Sequence, residues 1–105
     1  MTEVKFFVEG NIPVGFSLSG HSSFDCDDLE GKIVCSAVSS AAYMTANTII
    51  EIVGDKAETQ VDDGLMVIRV KNPGKEAIAV LKGFRLHIEQ LSLQYNDRLS
   101  ILSEV

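Results

Sequence analysis

Two side chains in this sequence are of types that act together on a carbonyl carbon: the thiol of Cys35 and the imidazole of His21, fourteen positions apart. A thiolate is the attacking species, and an imidazole within reach takes the thiol proton and later returns it to the leaving amine. Cys35 stands in Ile33-Val34-Cys35-Ser36-Ala37-Val38-Ser39, a run that reads as the start of a helix. On that reading Cys35 lies in the first turn, where the macrodipole and unpaired backbone N–H groups favour an ionised sulfur. The same N–H groups would hold a developing oxyanion, as acyl transfer requires. Ser39 follows one turn later on the same face, in position to hydrogen-bond within the site. Residue types alone leave a plainer reading open. A cysteine in an apolar helix is commonly a small buried hydrophobe, and a histidine beside a glycine is commonly a structural hydrogen-bonder.

Positioning such a pair needs a strand to deliver His21 and a helix to deliver Cys35. Val4 to Val8 is β-branched and aromatic, as strands prefer. Gly10-Asn11 supplies a turn, and Val14 to Ser19 alternates with period two up to Gly20-His21, so the pair reads as a hairpin. Ser22 to Gly31 reads as an acidic loop with Asp25, Asp27, Asp28 and Glu30, placed to carry substrate or close over it. Ile33 to Val53 follows as a helix by its length and its run of alanines, with small residues nearly all round it. Such a helix packs closely on both sides, inside the domain or at a subunit contact. Asp63-Gly64 between Thr59–Val61 and Leu65–Val70 signals a second hairpin, with the positive φ of a type I′ turn. Asn72-Pro73 reads as cap and first position of a second helix. Its face runs through Ala77, Leu81, Phe84, Ile88, Leu91 and Tyr95. Leu99 and Ile101 close the chain as an edge strand. The order ββαββαβ predicts an α+β two-layer sandwich, two helices on a mostly antiparallel sheet.

The 105 residues suffice for one domain, residues 1–105, with no repeat, linker or low-complexity tract. A hydrophobic fraction of 46% with 23% charged residues fits a globular chain. The net charge of −6 repels phosphate backbones and steers basic partners in, so nucleic acid is a poor expectation. The N-terminal residues lack the pattern of a signal peptide, and Ser and Thr interrupt the longest apolar run, so neither export nor a membrane span is expected. Two cysteines, Cys26 and Cys35, nine positions apart, do not form a disulfide framework. The expected setting is the cytoplasm, with reduced thiols.

The whole chain resembles the ribosomal-processing cysteine protease family, Prp, in element order and length. That family pairs a Gly-His at a strand end with a variable loop and an Ile-Val-Cys-x-Ala-x-Ser helix start. Here these are Gly20-His21 and Ile33-Val34-Cys35-Ser36-Ala37-Val38-Ser39. The resemblance implies a homodimeric cysteine endopeptidase with a Cys35–His21 dyad, supported by Ser39 and Gly20, and without cofactor or metal. It further implies a substrate, the N-terminal extension of a large-subunit ribosomal protein, cut near aromatic residues during ribosome assembly. One departure is Lys32, where the family has an acid three residues before the cysteine. Either no third group is needed or a loop acid, Asp25, Asp27, Asp28 or Glu30, orients His21 or contacts substrate. The Lys32 ammonium would instead favour the thiolate electrostatically.

Rival chemistries lack supporting patterns. His21, Cys26, Cys35 and His87 are zinc-type ligands without the short Cys-x-x-Cys or His-x-x-x-His pairs. The acid loop fails the twelve-residue calcium pattern and reads as solvated. Cys26 and Cys35 form a conceivable redox pair. His87, off the apolar stripe of its helix, is expected to face solvent. From a different class, the main alternative is a non-catalytic ribosome-assembly module that grips a basic ribosomal protein. A hairpin ending at His21 also places the cleft beside a sheet edge, where an extended peptide can add as a strand.

Overall fold

The structure is a computed structural model that describes residues 2–20 and 29–104. His21, Asp25, Cys26, Asp27 and Asp28 lie outside the described residues. In chain order the elements are β1 (Thr2–Glu9), β2 (Ile12–Ser19), α1 (Leu29–Asn47), β3 (Ala57–Asp62), β4 (Leu65–Val70), α2 (Lys75–Gln94) and β5 (Leu99–Glu104). The five strands form one sheet in the order β3-β4-β2-β1-β5, with only the β1–β5 pair parallel. The expected α+β sandwich in ββαββαβ order is the observed fold, and β5 is an edge as expected.

Local chemistry explains most of the strands. Gly10 and Asn11 both take positive φ, 55° and 70°, as a two-residue type I′ hairpin turn requires. Val14 is left over where Phe7 pairs with Gly15 and Val8 with Pro13, a bulge that lets Val14 as well as Phe16 and Leu18 be buried. Gly15 is needed for space, since a Cβ there would overlap the Ile68 carbonyl oxygen of β4. The second hairpin departs from the expected turn. Of Asp63 and Gly64 only Gly64 has positive φ, 75°, so the turn is not type I′.

One face of the sheet is covered by the two helices. Phe16 and Phe6 meet Phe84 of α2, with ring centroids 4.3 and 5.8 Å apart. Ala77, Leu81 and Ile88 extend the same stripe of α2 into the core. Val34, Val38, Ala42, Ala46 and Ile49 complete it from the α1 side. The cap of α2 differs from the expected Asn72-Pro73. Its N-cap is Gly74, whose amide donates to the Asp55 carboxylate at 3.1 Å, while Asn72 takes a left-handed φ of 49°. The Asp55 carboxylate, from the connection between α1 and β3, thus ties down the start of α2, while no side chain among the described residues bonds the amides of its first turn.

Helix α1 departs further from expectation. It already includes Leu29, four residues before the expected Ile33, with Gly31 buried within it and Glu30 paired with Arg98 at 3.6 Å. Glu30 is therefore a helix residue with its own partner, not a loop acid. At its other end the helix widens into a π-helical turn, Thr48–Val53, closed by Gly54 in the left-handed region at φ 84°. The Gly54 amide bonds the Ile49 carbonyl five residues back, the spacing of a π turn. By length and hydropathy alone Leu29–Val53 would pass as a membrane-crossing helix. In the fold its Val34–Ile49 stripe is core. Its opposite face, with Ile33, Ser36, Ser40, Met44 and Ile52, is uncovered within one chain.

Candidate active site

Cys35 carries a free, half-buried thiol on α1. It faces a cleft of about 130 Å³ at one end of the sheet. Helical spacing of four residues puts Ser39 and Tyr43 on the same face, and both line that cleft. Neither hydroxyl has a hydrogen-bond partner among the described residues. Thr45 and Thr48, by contrast, bond the carbonyls of Ala41 and Met44 one turn back. The Ser39 hydroxyl lies in the cleft four residues after Cys35.

Gly20 forms the opposite lip of the cleft. Its φ of 91° turns the chain out of β2, and its amide donates to the Gly64 carbonyl at 3.2 Å. The residue immediately before His21 is thereby fixed against the β3–β4 turn, in the same cleft as Cys35. His21 itself is outside the described residues, as are Asp25, Asp27 and Asp28. The structure therefore brings Cys35, Ser39 and Gly20 together.

Two expectations about this site are corrected. Cys35 is the seventh residue of α1, not a first-turn residue. Six residues of helix place it about 9 Å along the axis from Leu29. The helix-end field falls off within the first turn, and the amides without intrahelical partners belong to the first four positions. The argument from the helix terminus does not reach Cys35, for the thiolate or for the oxyanion. The second correction concerns the sheet. The strand that leads to His21 is central, flanked by β1 and β4, so the cleft opens at a strand end and not along the edge of β2. An edge does come near through β3, whose last residue, Asp62, lines the cleft.

Sequence reasoning passed over several cleft residues. Asp62 lies between the expected strand and the Asp63-Gly64 turn signal; its carboxylate accepts a hydrogen bond from Gln60 at 2.8 Å. Tyr43 stood in a helix read as small-residue packing. Leu18, Leu65 and Met66 supply apolar wall from β2 and β4. Lys32 is exposed three residues before Cys35. His87 is exposed, as expected, and lies on α2 in a groove between the helices rather than in this cleft.

The site is a helix-borne thiol in a cleft at the end of a five-stranded α+β sheet, and comparison with known proteins gives its class. Residues 1–100 match the family described as Cysteine protease Prp, and the chain belongs to that family. Among solved structures it is similar to the ribosomal processing protease Prp from S. aureus in complex with a covalently linked product peptide. The two share 21% identity over 99% of this chain and 100% of that one, with a TM-score of 0.87. The same S. aureus protease in complex with a substrate peptide matches at 20% identity over 99% and 100%, with a TM-score of 0.89. The protein SMU.848 from Streptococcus mutans matches at 23% identity over 99% of each chain, with a TM-score of 0.84. No curated protein matches.

Proposed function

We propose that this cysteine protease removes the N-terminal extension of a large-subunit ribosomal protein during ribosome assembly, cutting near aromatic residues. Cys35 is the nucleophile and His21 the general base, with Ser39 and Gly20 supporting the site. The observation that carries this reading is the cleft itself. It gathers the free thiol, an unengaged Ser39 hydroxyl and the residue preceding His21 within the Prp fold. His21 takes the Cys35 proton, the thiolate adds to the scissile carbonyl, and the imidazolium protonates the departing amine. Water then releases the acyl group by the reverse proton traffic. A net charge of −6 steers a basic substrate toward the enzyme. Asp25, Asp27 and Asp28 contact basic residues on the product side, and an extended peptide reaches a sheet edge at β3 near Asp62.

The enzyme works in the cytoplasm as a homodimer. Support for the dimer is the outer face of α1, where Ile33 is 50% and Met44 66% exposed in a stretch with no charge from Ile33 to Ile50. The test of the catalytic reading is incubation of pure enzyme with the extended ribosomal protein, with product masses read by mass spectrometry. Cleavage beside aromatic residues that vanishes in Cys35→Ala and in His21→Ala is the expected outcome. Intact substrate that nevertheless binds tightly would replace the protease reading with a binding module.

A further inference from the structure

Among the described residues Tyr43 is the one aromatic side chain that lines the Cys35 cleft, and 46% of it is exposed. The four core phenylalanines Phe6, Phe7, Phe16 and Phe84 are each at most 8% exposed. Tyr43 is therefore not spent on packing within the chain. It lies eight residues after Cys35, about 12 Å along the helix axis. Helical side chains lean toward the N-terminus, so a long ring at position 43 covers the turn that carries Ser39 and reaches toward the thiol. Across from it stand Leu18, Leu65 and Met66. The cleft volume, about 130 Å³, approaches the ~150 Å³ of an apolar cavity that accepts benzene. A space of that size, with apolar wall from the sheet and the Tyr43 ring from the helix beside the polar groups of Ser39 and Asp62, has room for one ring.

We propose that Tyr43 is the specificity-determining residue of the cleft, its ring packing against an aromatic side chain of the substrate beside the scissile bond. This rests on the proteolytic reading above and names the residue that carries the preference. Aromatic pairs favour offset or edge-to-face contact, and that contact adds to the area each ring removes from water. Ring contact, and not the phenol hydroxyl, sets the preference.

The test uses two peptides carrying the extension sequence, identical except that phenylalanine beside the cleaved bond is replaced by alanine in one. The readout is the ratio of their kcat/KM values, which cancels losses of active enzyme common to both. Wild-type enzyme is expected to prefer the phenylalanine peptide. Tyr43→Ala is expected to shrink that ratio about tenfold or more, while Tyr43→Phe keeps it. An unchanged ratio in Tyr43→Ala overturns the pocket alone. A ratio that collapses equally in Tyr43→Phe also overturns it, because the hydroxyl would then be the determinant. Wild-type enzyme that cuts neither peptide overturns the substrate reading and the pocket together.

Discussion

The two helices lie on the same face of the same sheet and differ little in length, 19 residues in α1 and 20 in α2. Their surfaces differ sharply. Outside its core stripe α2 carries Lys75, Glu76, Lys82, Arg85 and Glu89, including an Arg85–Glu89 pair at 3.7 Å. Between Lys32 and Glu51, α1 carries no charge at all. Its non-core positions hold Cys35, Ser39 and Tyr43 toward the cleft, and small or apolar residues on the outer face. A helix whose only task is to cover a sheet can give its outer face to water, as α2 does. One whose surface remains uncharged has that surface committed elsewhere, here to substrate and, in our proposal, to a second subunit. Both helices supply core, so the difference between them should show in activity, concentrated in α1, with α2 contributing stability alone.

Exchanging the roles is the most direct way to break that contrast. Cys35→Ala should lower kcat/KM by about 10⁴-fold or more, with a change in unfolding free energy within about 1 kcal/mol. Cys26→Ser should stay active, and loss of activity there would move the nucleophile to the other thiol. Phe84→Ala should do the reverse. Deleting a ring that touches both Phe6 and Phe16 should cost about 3–5 kcal/mol in denaturant unfolding, while the fraction still folded keeps its kcat. A Phe84 variant that folds well yet fails to cut would show that α2 shares in the site.

Smaller effects sharpen the comparison. Met44→Glu puts a charge on the uncharged face of α1 and should halve the mass seen by light scattering at micromolar concentration. A monomeric wild type would remove the subunit contact from the account. Glu89→Gln on α2 removes one exposed helical ion pair and should cost about 0.3–0.5 kcal/mol. Its effect should vanish at high salt, with neither activity nor mass altered.

What could be read from sequence follows from which interactions are local. The strands of the first hairpin, the period of α2 and the Gly10-Asn11 turn depend on neighbours within a few residues, and each appears where the pattern put it. Cys35 and Ser39 share a cleft because four residues are about one helical turn. Family resemblance carried the pairing with His21, which spacing by itself leaves open. Tertiary structure decided everything set by distant partners. Arg98, at the far end of the chain, pairs with Glu30, which lies in a helix that already includes Leu29 and so keeps Cys35 out of the first turn. The start of α2 is at Gly74, held by distant Asp55, and not at the expected Asn72-Pro73. Asp62, Leu65 and Met66 line the same cleft as the thiol only because β3 pairs with β4 and β4 with β2, and Tyr43 becomes a cleft wall only because that sheet stands opposite it. Periodicity says which face of a helix is apolar; only the packing of the other elements determines which part of that face is left open to a substrate.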